Sequence, residues 1–268
     1  MPSRLKILKF QTRPLLTRLG LWERLERWRL KRRFANRQPH EPEFAFYRHF
    51  DGSTGLFVDI GANIGQSALS LACAQHTCNI ISFEPNVRLE PALRTVADIL
   101  GPRFAYRMHG LGAEHATRTF FIPAVNGVPF FQCGTLRREV LVDNPGMRDL
   151  LYDVTGSRTF DIQEQPITIH RFDDLGLTPE FVKMDVEGAE LDVLEGMPRT
   201  LAEHRPLVMT EGTGAVDWLA KRGYRAMIHD AATNALEPYP GGEHPTVFHV
   251  PEEKLSAISR LGRKSHAA

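Results

Sequence analysis

Cysteine is scarce in this chain, with three residues among 268. Cys73, Cys78 and Cys133 do not follow the spacing of metal ligands, so a metal centre built on thiolates is not predicted. A bridge between Cys73 and Cys78 is one alternative. Free thiols in a reducing cytoplasm agree better with so low a count.

Long apolar runs are also missing. No stretch approaches the roughly 18 residues that a membrane-spanning helix needs, and the N-terminus lacks the apolar core of a secretory signal. We therefore expect a cytoplasmic protein. The composition is typical of a soluble globular protein, and 268 residues suit one large α/β domain with additional segments.

Net charge is nearly absent as well, at +1, but this value hides an asymmetry. Residues 1–40 carry 12 Lys and Arg against 2 Glu, a net charge of +10, so the rest of the chain has a net charge of −9. Two apolar helical faces in this region lie about 120° apart at 100° per residue. They consist of Leu15, Leu19 and Trp22, and of Leu21, Leu25 and Trp28. We expect Gly20 to separate two helical pieces.

Three roles are open for this basic N-terminal extension, residues 1–50. A basic helix with Trp and Leu can lie on an anionic membrane surface, as a peripheral contact. It can instead pack on the body of the protein or on a second subunit of a homodimer. Nucleic-acid binding is the weakest of the three and is not the expected role, because the arginines have no recognisable nucleic-acid-binding fold around them.

The stretch 56–67 has the pattern strand, glycine turn, helix. Its first five residues are a short apolar run, which predicts a buried strand because the run is too short for a complete helix. Gly61 and Gly65 bracket a turn, and helical spacing begins at Ala68. This is the plan of a nucleotide-binding βα unit, in which glycine lets the backbone approach a ligand and the helix N-terminus offers free N–H groups.

The spacing does not fit a dinucleotide. That fingerprint requires glycine at positions 61, 63 and 66, whereas this chain has Asn63 and Gln66. Asp59 stands two residues before the first glycine, where a carboxylate would repel a pyrophosphate but suit a cationic amino-acid ligand. The acid-x-Gly-x-x-x-Gly pattern resembles motif I of S-adenosylmethionine-dependent methyltransferases. The alternative is a glycine turn that binds no ligand.

Carboxylates stand at the carboxyl ends of four predicted strands: Asp59, Glu84, Asp185 and Glu211. Ligands bind at this edge of an open α/β sheet, and an acid at position 84 can accept both ribose hydroxyls of a nucleoside. Like charges held close raise one another's pKa, so a sulfonium, a metal ion or an ionised acceptor amine would stabilise them. The alternative is that one or two of them cap helices or pair with Lys183 or Arg171.

Residues 123–165 show no clear periodicity and carry several Pro and Gly residues with aromatics between them. A long irregular insertion in a compact domain usually forms a lid or a binding loop. We therefore expect the acceptor substrate to bind at this segment. A partly disordered surface loop is the alternative.

Taken together, these residues resemble the FkbM family of methyltransferases over about residues 56–250. The resemblance rests on residues 57–65, Phe83-Glu-Pro-Asn86, the Asp173-Asp174-Leu175 turn, and residues 182–190 leading into 193–196. The Lys-x-Asp-x-Glu-Gly-x-Glu run in the last segment is the most specific part. The turn expected at 109–112 departs from the family, since it has His-Gly-Leu-Gly where Asn-x-Ala-Leu is common.

This resemblance implies an α/β fold of the class I methyltransferase type. Its Rossmann-like sheet has seven strands, largely parallel with the last one antiparallel, and helices on both faces. The methyltransferase domain would span residues 51–252, with a C-terminal tail at 253–268. The family implies methyl transfer from S-adenosylmethionine to oxygen, commonly on a sugar or polyketide, so the expected acceptor is a saccharide or another small molecule.

Cofactor contacts are likewise implied by the resemblance. Carried onto matching positions, they are Asp59, Gly61, Asn63, Gly65 and Glu84, together with Pro85, His109, Gly110, Leu111 and Asp185. In this fold, the segment that begins at His109 lies beside the adenine.

An alcohol acceptor also needs a base or a metal ion to take its proton. The acidic candidates are Asp185, Glu187 and Glu211, and the histidine candidates are His170 and His229. Mg²⁺ suits hard carboxylate oxygens, and Asp185 with Glu187 or Glu211 could bind it, although a site without metal is the simpler expectation. A second hypothesis is a catalytically inactive methyltransferase-fold module that binds a partner or docks on a membrane.

Overall fold

The computed structural model describes residues 4–143, 145–259 and 261. The helices are α1 Arg4–Arg18, α2 Leu21–Ala35, α3 Gln66–Ala74, α4 Glu90–Leu100, α5 Arg138–Asp143, α6 Pro145–Thr155, α7 Glu190–Glu195, α8 Pro198–Glu203, α9 Val216–Ala220 and α10 Leu255–Ile258. Much of the predicted tail, residues 260 and 262–268, lies outside the described residues, as do residues 1–3 of the basic extension.

The described strands form two sheets. They are β1 Leu56–Ile60, β2 Asn79–Phe83, β3 Phe104–Arg107, β4 Gly110–Gly112, β5 Ala116–Val125, β6 Val128–Pro129, β7 Asp161–Arg171, β8 Pro179–Met184, β9 Leu207–Glu211, β10 Tyr224–Asp230, β11 Ala235–Pro238 and β12 Thr246–Pro251. The fold is mixed α/β, as predicted.

The main sheet has the order β11-β10-β12-β9-β8-β1-β2-β3. Strands β3, β2, β1, β8 and β9 are parallel, and β12 is antiparallel to both of its neighbours. The prediction of seven strands is wrong by one, because the chain turns back after β10 and adds β11 at the edge. Asp230 stabilises that turn by accepting the N–H of Ala232 at 2.9 Å and the hydroxyl of Thr233 at 2.6 Å.

The second sheet has the order β4-β7-β5-β6 and corrects two predictions. Residues 110–112 are a strand paired with β7, not a turn. Residues 123–165 are not irregular, since β5, β6, α5, α6 and β7 occupy most of them. Asn126 and Gly127 join β5 to β6 with φ values of 50° and 76°, and Asn-Gly is the pair that such two-residue hairpins favour.

Aromatic packing on one face of the main sheet fixes the segment before β1. Tyr47, in the 3₁₀ helix Pro42–Phe50, is completely buried, and the centroid of its ring lies 5.4 Å from that of Phe57 in β1. Edge-to-face contacts of this kind add to the hydrophobic free energy of burial. The contact also brings the preceding residues, His40 and Glu41, to the carboxyl edge of the sheet, where both line a cavity.

The N-terminal helices pack on the body. Gly20, with φ of 65°, separates α1 from α2, and these helices contact α6 and α4 respectively. Phe10 and Leu30 are buried by this packing. Large apolar side chains on the outer faces stay exposed: Leu8, Leu15, Leu19, Leu21 and Trp28. Within the described part of the chain, no helix combines the length and apolar character needed to cross a membrane.

Asp173, in the Asp-Asp-Leu turn, has a structural role. Its buried carboxylate accepts the backbone N–H groups of Arg199 at 2.8 Å and Thr200 at 3.0 Å, and the Thr200 hydroxyl at 2.7 Å. These are the free donors at the start of α8. Burial alone would raise the pKa of Asp173, but the three hydrogen bonds outweigh it and hold the pKa below its usual value.

We predict that Asp173→Asn lowers the free energy of unfolding at pH 7 by about 1–3 kcal/mol, because an amide group must turn one N–H toward a backbone donor. A group with a depressed native pKa stabilises the fold above its unfolded pKa, and this stabilisation is lost as pH falls. The difference between variant and wild type should therefore shrink below about pH 4.

Urea unfolding at several pH values measures this effect. Asp174→Asn is the matched control, because the Asp174 side chain is about half exposed and pairs with His115 at the surface. Equal stability losses in the two variants would contradict the assignment.

Candidate functional site

A cavity of 330 Å³ opens at the carboxyl ends of the parallel strands. Nine of the predicted site residues line it: Gly61, Asn63, Glu84, Pro85, Gly110, Leu111, Asp185, Glu187 and Glu211. Asp59, Gly65 and His109 are not among the lining residues. Its charged side chains among the described residues are five carboxylates and one ammonium, those of Glu41, Glu84, Asp185, Glu187, Glu211 and Lys183.

The two glycines of the βα turn are required by the protein itself. A Cβ on Gly61 would lie 1.7 Å from the carbonyl oxygen of Asp185, and a Cβ on Gly65 would lie 2.6 Å from a methyl group of Val96. Both glycines have φ near +80°, a backbone conformation that other residues rarely adopt. Each glycine is therefore required by a neighbouring part of the protein, and Gly61 also lines the cavity, while the approach of a ligand to this backbone stays a prediction.

Glu84 is held in place by the turn after β1. One carboxylate oxygen accepts the Asn63 N–H at 2.8 Å, and the other accepts the Asn86 N–H at 2.8 Å. Burial raises the pKa of Glu84 to about 7 against the opposing effect of these N–H groups. Each carboxylate oxygen keeps a free lone pair, so the group can accept further hydrogen bonds from a ligand.

Asp59 lies beneath the cavity rather than in it. Strand register places it beside Ser82 of β2 and Lys183 of β8, and paired residues of adjacent parallel strands share one face of the sheet. The Ser82 hydroxyl donates to Asp59 at 2.8 Å, and the Lys183 ammonium lies 3.6 Å from its other oxygen. Pairing with Lys183, the alternative left open by the sequence, is therefore the observed arrangement, and all three residues are buried.

Lys183 also reaches Asp185, the residue that directly follows β8. The distance from the ammonium nitrogen to a carboxylate oxygen is 3.1 Å. Burial acts to raise the pKa of Asp185, but the Lys183 charge and a hydrogen bond from Glu211 outweigh it, so the pKa lies below its usual value. Asp185 is thus the ionised member of this group.

Glu211 and Glu187 hold their protons more tightly. The Glu211 side chain is exposed, but partial burial, the interaction with Asp185 and the repulsion of neighbouring carboxylates raise its pKa to about 8. Burial and repulsion by Asp185 raise that of Glu187 to about 7. Carboxylate oxygens of Asp185, Glu187 and Glu211 all lie within 4.8 Å of one another, so the three groups could also hold a metal ion.

A contact from the segment 123–165 fixes the loop that carries Glu187. The backbone of Glu187 is left-handed, with φ of 52°, and the Thr135 hydroxyl donates to its carbonyl oxygen at 2.9 Å. A non-glycine residue in this conformation persists where its surroundings hold it, often at functional sites. The segment thus contacts the site, while its role as a lid stays a prediction.

The sequence missed His40 and Glu41, which line the cavity from the segment before β1. The His40 ring accepts from or donates to the Ser70 hydroxyl at 2.8 Å and lies 3.3 Å from Glu41. No periodic or spacing signal marked either residue. The proposed histidine bases, His170 and His229, do not line this cavity, and His229 instead pairs with Asn234 at 2.9 Å.

The buried ammonium can be tested by a double-mutant cycle. We predict that Lys183→Met lowers the free energy of unfolding by about 3–5 kcal/mol, because Asp59 is left buried without a cation. Adding Asp59→Asn should recover part of this loss, with a coupling energy of about 1–3 kcal/mol. Lys221→Met, at an exposed position, is the control. Strictly additive losses in urea unfolding would show that the pair is not coupled.

Comparison with solved structures finds methyltransferases. The chain is similar to a methyltransferase FkbM from Methylobacillus flagellatus KT, with 19% identity, a TM-score of 0.46, and coverage of 73% of this chain but 43% of that protein. It is also similar to the precorrin-6Y C5,15-methyltransferase of Geobacter metallireducens GS-15, with 12% identity, a TM-score of 0.37, and coverage of 76% and 82% of the two chains.

A third similar structure is the C-terminal domain of the precorrin-6Y C5,15-methyltransferase of Rhodobacter capsulatus, with 14% identity, a TM-score of 0.36, and coverage of 76% and 84%. A search of curated proteins finds no match. The model of the methyltransferase FkbM domain matches residues 59–226. Because that match covers more than half of the chain and includes Asp59 at the end of β1 as well as β2, β8 and β9 with their acids, this chain belongs to the methyltransferase FkbM domain family.

Proposed function

We propose that this protein is an S-adenosylmethionine-dependent methyltransferase that acts on a hydroxyl oxygen of a small-molecule acceptor, a saccharide or another natural product. The observation that carries the proposal is the acidic cavity at the carboxyl edge of the sheet. Family membership supports methyl transfer, and the choice of oxygen and of a saccharide follows from the resemblance alone.

The cavity suits a cationic nucleoside in charge and in size. S-adenosylmethionine carries a sulfonium and an ammonium, and the five lining carboxyl groups, when ionised, exceed the single Lys183 charge. Cavities of about 300–1,000 Å³ hold small ligands, and this one measures 330 Å³. Glu84, fixed by two backbone N–H groups, is placed to accept the ribose hydroxyls.

The chemistry requires positioning and removal of one proton. S-adenosylmethionine supplies an electrophilic methyl group, and the acceptor oxygen attacks it in line. Positioning lowers the barrier because it replaces an encounter between free reactants. The acceptor hydroxyl must also lose its proton to a base, and the best base has a pKa near the working pH.

Glu211 is our candidate for that base. Its pKa of about 8 makes it the strongest proton acceptor of the three clustered carboxylates. Asp185 is a positioning group in this scheme: Lys183 holds it, and its charge acts on the neighbouring carboxyl group of Glu211. A bound sulfonium favours ionisation of Glu211 and thereby prepares it to accept a proton.

Magnesium is the alternative occupant of the cluster. The three carboxylates supply the oxygen ligands that Mg²⁺ prefers. Against it stands Lys183, whose ammonium already neutralises Asp185 at 3.1 Å and would repel a dication. We therefore propose a reaction without metal, with EDTA as its test.

Cofactor binding should release protons, because a cationic ligand binds the ionised forms of Glu211 and Glu187. Their pKa values of about 8 and about 7 place the change between pH 6 and 8, so affinity for S-adenosylmethionine should rise with pH over this range. Calorimetry in two buffers of different ionisation enthalpy measures the proton release.

S-adenosylhomocysteine is the matched ligand, because it lacks the sulfonium charge and should release fewer protons.

Glu84→Gln should weaken binding of both ligands by about 1–3 kcal/mol, the scale of a hydrogen bond to a charged group. Absence of S-adenosylmethionine binding to the folded protein at millimolar concentration would overturn the proposed function.

The identity of the base is tested by turnover with a panel of saccharides, measured as the amount of S-adenosylhomocysteine formed. We predict that Glu211→Gln lowers kcat by about 10²–10⁴-fold, the range for a lost acid–base group. Asp185→Asn should lower kcat and move the rising limb of its pH profile to lower pH, because Asp185 raises the pKa of Glu211.

Glu190→Gln is the control, since Glu190 accepts the N–H groups of Val186 and Gly188 and a glutamine oxygen can do the same. If Glu211→Gln turns over like wild type, Glu211 is not the base. If EDTA abolishes activity and Mg²⁺ restores it, the reaction uses the metal.

A further inference from the structure

A second, larger cavity lies between the N-terminal helices and the body of the protein. Its volume is 840 Å³, and its walls are α1 and α2 on one side and α4 with residues 127–132 on the other. Four residues line both this cavity and the acidic one: Asn63, Gln66, Phe131 and Gln132. The two cavities therefore adjoin at these four residues.

The charge of this second cavity is opposite to that of the first. Among the described residues it is lined by four arginines and two glutamates: Arg13, Arg27, Arg29, Arg88, Glu23 and Glu26. The acidic cavity has an excess of carboxylates instead. Two adjoining cavities of opposite sign are suited to two ligands of opposite charge.

Aromatic rings hold three of the guanidinium groups together. The guanidinium carbon of Arg13 lies 5.0 Å from the centroid of the Trp22 ring and 5.7 Å from that of Phe131. Arg29 lies 5.6 Å from the Trp22 centroid, and Arg88 lies 5.9 Å from the Phe131 centroid. Cation–π contacts of this length stabilise each charge, but they leave the like charges close to one another.

Hydrogen bonds fix two of these groups further. Arg13 donates to the carbonyl of Pro129 at 3.0 Å, and Arg88 donates to the side chain of Gln163 at 2.8 Å. Each guanidinium has five N–H donors, so most of them remain for a ligand. Glu26 also lines the cavity, and burial raises its pKa against the attraction of Arg13 and Arg29, so it offsets only part of the positive charge.

We propose that this second cavity is the acceptor site and that it takes a saccharide bearing an anionic group, a phosphate or a carboxylate. The arginines would bind the anion through paired N–H donors, the geometry that guanidinium offers to both groups. The acceptor hydroxyl would then pass Phe131 and Gln132 into the acidic cavity. This inference rests on the proposed function and names the chemical class of its acceptor.

Calorimetry at fixed ionic strength tests the site with three probes: glucose 1-phosphate, glucuronic acid and glucose, each added to protein saturated with S-adenosylmethionine. We expect at least one of the two anionic sugars to bind tenfold or more tightly than glucose. The comparison of the two anions shows whether the site takes a phosphate or a carboxylate.

The double variant Arg13→Gln/Arg29→Gln and the single variant Arg88→Gln should each weaken binding of the anionic sugar at least tenfold. Arg24→Gln, an exposed arginine of α2 that does not line the cavity, is the matched control and should bind it like wild type. S-adenosylmethionine affinity should be the same in all four proteins, which also shows that they are folded.

The inference is overturned if no anionic sugar binds better than glucose, or if both cavity variants bind it like wild type. If S-adenosylmethionine still binds, either of these results contradicts the proposed acceptor site but not the proposed function. If the wild-type protein does not bind S-adenosylmethionine, the proposed function itself is contradicted.

Discussion

The buried ammonium of Lys183 is the interaction on which the site depends. It lies between Asp59 beneath the cavity and Asp185 at its edge, and it is itself 3% exposed. A charge so deeply buried is stable only when paired, and here two strands supply its partners. Lys183 holds Asp185 ionised, and Glu211 therefore keeps its proton. This difference in protonation between the two carboxyl groups sets the acid–base properties of the cluster.

Several family motif residues therefore support the fold first and the ligand second. Gly61 is a glycine because the backbone of Asp185 passes 1.7 Å from where its Cβ would lie. Asp173 caps α8. Gly61 lets the ends of β1 and β8 approach each other closely, and a preorganised site binds its ligand at a lower cost in entropy.

The sequence predicted the edge of the sheet well, because each strand there is a short apolar run closed by an acid. Glu84, Asp185 and Glu211 line one cavity for this reason. The direction of Asp59 could not be predicted, since a strand buried on both faces has no alternation to show which side chains turn inward. Its position beside Lys183 is a property of strand register, which only the folded sheet fixes.

Other parts were missed for different physical reasons. The Asn126-Gly127 pair was a readable hairpin signal, but the many glycines and prolines around it favoured an irregular segment. His40 and Glu41 reach the cavity through tertiary contacts with no local pattern, among them the packing of Tyr47 against β1 and the hydrogen bond between His40 and Ser70. The second cavity likewise arises from the packing of α1 and α2 on the body.

The central claim is that the clustered carboxylates form a cation site whose proton sits on Glu211. A ¹³C NMR titration of the glutamate and aspartate carboxyl carbons tests it most directly, with Glu211→Gln used to assign the signal. The account predicts that Glu211 titrates near the value of about 8 in the free protein and that saturating S-adenosylmethionine moves this pKa below 7. An ordinary carboxyl pKa in the free protein, or one that the ligand leaves unchanged, would contradict it.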